Sequence, residues 1–228
     1  MNTLTKLALG LMGQLKPHAA SDAPAEVLPP ARHSAGMGLM EALQRRASAR
    51  EFDVAALEAP LLSDLLWSAA GINRPEVGGR TAPSAMNSQE VQLYVAMPQG
   101  LMVYDPTAHA LKLTVASDVR RVTGYQDFVD TAPLDLIYVA QHERMKRVPA
   151  AQRERYAYAA AGAMAQNVYL FCAANGLATV IRAWFDHRAL SAAMGLQQDQ
   201  QLLLCQTVGW PQRPGSNDNQ QRPPPTLS

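Results

Sequence analysis

Charge is scarce in this sequence. Of its 228 residues, 17% are Asp, Glu, Lys or Arg, where about 25% is usual for a soluble domain. The two signs nearly cancel, 20 basic against 19 acidic for a net charge of +1. No general field is left to steer nucleic acid or an anionic membrane surface. A chain this poor in charge hides an unusual share of its surface, in a large core, a subunit interface or a membrane. Cysteine is scarcer still. Cys172 and Cys205 cannot make a disulfide framework, and both lie in apolar runs, LFCAA and LLLCQ, as buried thiols do. Five histidines are scattered without HxxxH spacing and there is no CxxC, so no metal site is expected. Walker, GxGxxG and GxSxG sequences are all lacking. Zinc domains, P-loop enzymes, dinucleotide folds and α/β-hydrolases fall away together.

What is present is one body between two proline-rich ends. Residues 1–37 read as a leader and linker arm. LTKLALGLMG has the look of a degenerate leader or a short amphipathic helix, and residues 17–36 hold Pro17, Pro24, Pro29 and Pro30 among small residues. The cytoplasm is the expected compartment, with secretion as the alternative. Residues 212–228 form a second polar, proline-rich tail. The body, residues 38–211, shows no internal repeat and no second linker.

Within the body, Gly38–Arg46 and Ala59–Ala70 have helical spacing, the second with Pro60 at its start and Gly71 at its end. Val91–Met97, Leu101–Asp105 and Leu111–Val115 read as a meander of antiparallel strands separated by short turns. In the third, Leu111, Leu113 and Val115 alternate with Lys112 and Thr114, which predicts one wet face. Leu134–Ala140 reads as a buried strand. The longest helix runs from about Pro149 to a left-handed stop at Asn175-Gly176, close to 40 Å at ~1.5 Å per residue. Its middle, YAYAAAGAMAQNVYLFCAA, carries no charge. Gln166 and Asn167 at the centre argue against a membrane span, so burial on nearly every side, as at the heart of a dimer, is expected. Leu177–Arg182, His187–Met194 and Gln201–Val208 complete an α+β body: a mixed, mostly antiparallel sheet flanked by helices, one of them long and central.

Four stretches are more polar or more specifically arranged than a bare fold needs. If the chain is extended past Arg46, then Arg46, Ser48 and Arg50 share one face at period two, with Ala47 between. Two guanidinium forks and a hydroxyl suit a phosphate or a polyol, although a basic helix end on the surface would read alike. Pro83-Ser84-Ala85-Met86-Asn87-Ser88-Gln89 is a polar loop whose amides can donate and accept, as the edge of a heterocycle requires; it is equally an ordinary capped turn. Val180–Trp184 is a strand running into a loop, with backbone N–H groups and Arg182 at its rim. Val208-Gly209-Trp210-Pro211 ends a strand and is followed by Arg213 and Arg222.

In this order and spacing the four resemble the FMN-dependent nitroreductase superfamily. RRASAREF matches its opening RRSxRxF, and residues 83–89 match its PSxxNxQ loop. Gly162–Asn167 with Gly176-Leu177 match its GxxxQN helix and GL turn, and Val208–Pro211 its closing VGxP. The likeness spans about residues 38–213. LLWSAAGINRP and QNVYLFCAANGLATVIR are most similar to the branch containing thiazoline and oxazoline oxidases.

The resemblance implies a homodimer with FMN at each end of the interface. Arg46, Ser48 and Arg50 would hold the flavin phosphate, ribityl chain and pyrimidine edge, with Ala47 where the family's second Arg usually stands. Pro83, Ser84, Ala85 and Asn87 would come from the partner subunit, with Gln89 supporting the loop. Ile181, Arg182 and Ala183 would lie beside the isoalloxazine, the Ala183 backbone N–H being a candidate donor to N5. Arg213 and Arg222 are rivals for the phosphate. Glu90-Val91 departs from the family's frequent Pro-Trp after the loop. No side chain is placed as an obvious acid or base. The implied activity is ping-pong transfer from NAD(P)H or another donor to a small nitroaromatic, quinone or similar acceptor. The alternatives are an FMN-dependent dehydrogenase or oxidase of a heterocycle or modified peptide, and a flavin-binding or storage protein without turnover.

Overall fold

Alternation along the strands decides where each helix packs. The protein, a computed structural model, is described over residues 25–34 and 36–212. Strands β1 (Ala25–Val27), β4 (Val91–Met97), β5 (Gly100–Asp105), β6 (Ala110–Val115), β7 (Leu134–Gln141), β8 (Ala178–Arg182) and β9 (Gln200–Gly209) form one sheet in the order β1-β6-β5-β4-β7-β9-β8. A separate ribbon pairs β2 (Ile72–Arg74) with β3 (Gly79–Arg80). The helices are α1 (Leu39–Arg45), α2 (Ala59–Ala70), α3 (Ala150–Asn175) and α4 (His187–Met194).

In β4 and β7, Leu93, Val95, Leu136 and Tyr138 face α2 and α3 and build the larger core with Leu65, Leu66, Val168 and Cys172. The intervening Tyr94, Ala96, Ile137 and Val139 face the other way and pack with Phe185, Leu190 and Met194 around α4. Period two in the strands thus sorts apolar side chains onto both faces, and the helices cover them.

Every pairing among the described strands is antiparallel. This narrows the mixed sheet expected from sequence. β7 and β8 do run the same way after the α3 crossover, but β9 lies between them and pairs antiparallel with both.

Three other expectations change. Residues 25–33 are not a free linker: β1 pairs with β6, Leu28 is buried, and Arg32 is bound to Asp64 in the middle of α2. The wet face of β6 is not simple, because a register shift opposite Leu101 leaves Leu113 exposed while Lys112 pairs with Asp105 at 2.9 Å. Most consequentially, α3 is not buried all round within the single chain. Ala157, Ala161, Met164, Ala165 and Val168 are inside, yet Tyr156, Ala159, Gly162 and Gln166 form an exposed stripe at helical spacing. The stop at Gly176 is as expected, with φ 69° and its N–H on Cys172 O. No helix among the described residues is long and apolar enough to cross a membrane. The N-terminal leader and the tail from residue 213, with Arg213 and Arg222, lie outside the described residues.

Candidate functional site

The opening motif leaves α1 at Arg46 and runs along the outer edge of β8, where Ala49 N donates to Thr179 O at 3.0 Å. Ala49 faces a small apolar cluster with Phe52 and Val180, while Ser48 and Arg50 stay exposed. Phe52 then pairs with Pro211, so the start and finish of the body meet at one end of the sheet.

A residue not singled out from sequence ties these parts together. Tyr169, on the buried side of α3, shares a 2.8 Å hydrogen bond with the Ser48 hydroxyl and accepts one from Ile181 N at 3.0 Å. The Arg46 guanidinium lies 5.4 Å from the centre of its ring. One phenol thus gathers Arg46 and Ser48 of the opening motif and Ile181 of β8. Its signal in the sequence was a polar-tipped aromatic within an otherwise apolar helix, where the buried hydroxyl must find partners.

No ion pair among the described residues engages Arg46 or Arg50, whereas the adjacent Arg45 is paired with Glu41 at 2.5 Å. Two uncompensated guanidinium groups beside a hydroxyl fit an anionic group such as a phosphate. Ala47, between them, is exposed.

Arg182 does not serve as expected. Its guanidinium turns inward, donating to Asp135 Oδ1 at 2.6 Å, Thr207 Oγ1 at 2.8 Å and Thr123 O at 2.5 Å. The Thr207 hydroxyl also bonds Asp135, and the Thr123 hydroxyl donates to it at 2.8 Å. Burial pushes the Asp135 carboxyl up from its ordinary range, while Arg182 and the two hydroxyls work to hold it ionised. The side chain of Arg182 is therefore structural. The next residue, Ala183, is exposed at the end of the strand.

The Pro83–Gln89 loop is held in an unusual shape. Met86, Asn87 and Gln89 all have positive φ, 55°, 52° and 51°, a region costly for residues with a Cβ. The ties that impose it are dense. Gln89 N donates to Ser84 Oγ at 2.9 Å, Gln89 Nε2 donates to Gly78 O at 2.7 Å, and Arg144 donates to Gln89 O at 2.8 Å. Gln89 is buried as a support, while Pro83, Ala85 and Asn87 keep partial or full exposure. Pro83, Ser84 and Asn87 join Arg74 and Gly79 around a cavity of about 250 Å³.

Glu90, where the family often has proline, is fully buried and accepts from Ser88 at 2.8 Å. Burial pushes its carboxyl up, against the pull of Ser88, Arg80 and Arg144. Arg80 is in turn lowered to about 10 by burial and by Arg144. The departure thus exchanges a rigid ring for a buried charge cluster beneath the same loop. Cys172 and Cys205 are buried free thiols, pushed up by burial, and no metal-binding cluster occurs among the described residues.

The nitroreductase family model matches residues 43–210. A protein of Methanocaldococcus jannaschii, provisionally named a nitroreductase, is 32% identical over 160 residues, 65% of this chain and 80% of that one. A crystal structure from Ralstonia eutropha JMP134, named in the same way, superposes with a TM-score of 0.80 at 47% identity, over 87% of this chain and 95% of that one. A chain of the Escherichia coli microcin synthetase McbBCD complex shares the fold, with a TM-score of 0.66 at 18% identity over 90% and 91% of the two chains. With this fold, with its motifs in register and with its model matched across the body, the chain belongs to the nitroreductase family.

Proposed function

We propose that the protein is an FMN-dependent oxidoreductase that passes reducing equivalents from NAD(P)H to a small acceptor such as a nitroaromatic or a quinone. Family membership supports the oxidoreductase class. The observation that carries the finer reading is the convergence of Arg46, Ser48 and Ile181 on Tyr169, with Arg46 and Arg50 free of ion-pair partners among the described residues. FMN, when bound, supplies a two-electron carrier that no side chain can provide.

The chain's own part is binding and orientation. Arg46 and Arg50 neutralise the phosphate, and Ser48 offers a hydroxyl to the ribityl chain. Ile181 and Ala183 line the ring side by their backbone. Pro83, Ser84, Ala85 and Asn87 serve the site of a second copy in a homodimer, held in shape by Gln89. No general acid or base is assigned.

Purified protein should be yellow and should bleach under anaerobic NADH or NADPH, with parallel initial-rate plots for donor and acceptor. Protein that remains colourless in excess FMN overturns the reading. Yellow protein that neither nicotinamide bleaches, but that an azoline-containing peptide does, selects the dehydrogenase alternative. Yellow protein that neither donor nor oxygen cycles selects flavin storage.

A further inference from the structure

Ala183 and Trp184 make a two-residue outward step between anchored neighbours. Before them, Arg182 is fixed inside by Asp135, Thr123 and Thr207. After them, Phe185 is buried, with His187 stacked on it at 4.3 Å. With both flanks turned inward, Trp184 projects and is 72% exposed. Tyr125, 56% exposed, meets it with ring centroids 5.2 Å apart and planes tilted by 52°.

The same arginine builds that meeting. Arg182 Nη1 donates to Thr123 O, and a Cβ on the following Gly124 would lie 2.0 Å from Nη1. Only glycine can lie so close against the guanidinium, and Tyr125 comes next in the chain. A buried ion pair and a glycine thus bring two large rings together in water, where each leaves apolar surface unsheltered.

On the Tyr125 side of the pair is a cavity of about 370 Å³ lined by Arg121, Gly124, Tyr125, Gln126, Asp127 and Asp130, among others. Its rim is charged, and Gln126 keeps a buried Oε1 with no partner among the described residues. Two rings in such a frame are too little apolar surface for a stable protein interface, which takes about 800 Å² per partner. They fit one flat ring with a polar N–H substituent.

We propose that Trp184 and Tyr125 form the platform on which a planar aromatic substrate carrying a hydrogen-bond donor stacks, and that this pair sets the enzyme's preference for flat acceptors. The proposal rests on the oxidoreductase reading, in which Ala183, the neighbour of Trp184, lines the flavin.

The test uses the full-length protein as purified. The acrylamide-quenchable emission lost in Trp184→Phe reports Trp184, and benzamide, a flat ring with an amide N–H, should shield it. With 4-nitrobenzamide as acceptor, Trp184→Ala and Tyr125→Ala should each raise KM about tenfold with kcat within about twofold. Trp184→Phe and Tyr125→Phe should stay near the parent KM. Yellow, active protein whose alanine variants keep the parent KM overturns the platform. So does Trp184 emission already shielded without ligand, or loss of flavin in step with the rise in KM. A colourless protein instead overturns the flavin reading, and the benzamide shielding can still be measured on it.

Discussion

The Tyr169 hydroxyl shows how much of the site hangs on single atoms. It receives the Ile181 N–H and meets the Ser48 hydroxyl, so the strand end and the opening motif are referred to one point on α3. The arginines have a different role. Arg50 is exposed and Arg46 only half-buried, so neither fills the core, and both can be removed without a cavity. Replacing Arg46 and Arg50 together by Ala should raise the Kd for FMN by a hundredfold or more, taking about 1.5–3 kcal/mol for each hydrogen bond to a charged group. Flavin fluorescence titration reads the loss, and an unchanged circular dichroism spectrum separates it from unfolding. His109 carries a separate, pH-dependent prediction. It bridges Ser63 at 2.7 Å, Tyr104 at 2.8 Å and Pro29 O at 3.1 Å. Burial lowers its pKa from the ordinary 6.5, helped by His33 and opposed by the Pro29 carbonyl and Asp64. The unfolded chain therefore binds this proton more readily than the folded one. The stability that neutral His109 contributes is complete above about pH 6.5 and is lost as pH falls toward the lowered value. Urea unfolding at pH 7 and pH 5 should show that loss, and His109→Gln should flatten it.

At the scale of elements, long periodic segments were legible and short docked ones were not. α2, β4 and α4 lie where their spacing puts them, because each has a whole face to bury. β1 is three residues long, and the β2–β3 ribbon has arms of three and two residues. None can be told from a loop by pattern alone, since what makes them strands is the neighbouring chain. The site divides in the same way. Arg46, Ser48 and the Pro83–Gln89 loop could be placed by motif. The inward turn of Arg182 depends on Asp135 and Thr207, which are remote in sequence and gave no signal. The proline-rich arm is the clearest case. Its prolines read as linker, but they are followed by Arg32, whose Nε donates to Asp64 at 2.7 Å, and by His33 stacked on Trp67 at 4.3 Å. Asp64 is buried on α2, whereas Arg32 is more than half exposed, so solvent screens part of the interaction. Arg32→Ala should therefore cost about 1–2 kcal/mol, leaving Asp64 with the backbone N–H of residue 32. A chemical denaturation curve would measure it, and a cost near zero would mean that β1 and Leu28 hold the arm unaided.

For the whole molecule, the shortage of charge returns as a question of which surface is hidden. The core takes both faces of the sheet, yet a charge-poor surface remains on α3, where Tyr156, Ala159, Gly162 and Gln166 are exposed. α1, which packs on α3, leaves Leu39, Met40 and Leu43 exposed beside its solvent face. The proposed homodimer gives this surface an occupant, and Gly162 gives the proposal a sharp test. A Cβ at Gly162 would meet nothing within 4 Å in the single chain. In an exposed helix interior, glycine costs roughly 0.8–1 kcal/mol against a good helix former. If the chain works alone, Gly162→Leu should raise its stability by about that amount and leave its mass in solution unchanged. If a second α3 packs closely here, the same side chain obstructs the approach. We expect the second outcome: the parent protein should sediment as a dimer at micromolar concentration, and Gly162→Leu should shift it toward the monomer. Because the loop at Pro83–Asn87 is proposed to complete the partner's site, flavin should leave as the dimer dissociates, although no residue of that loop has been altered.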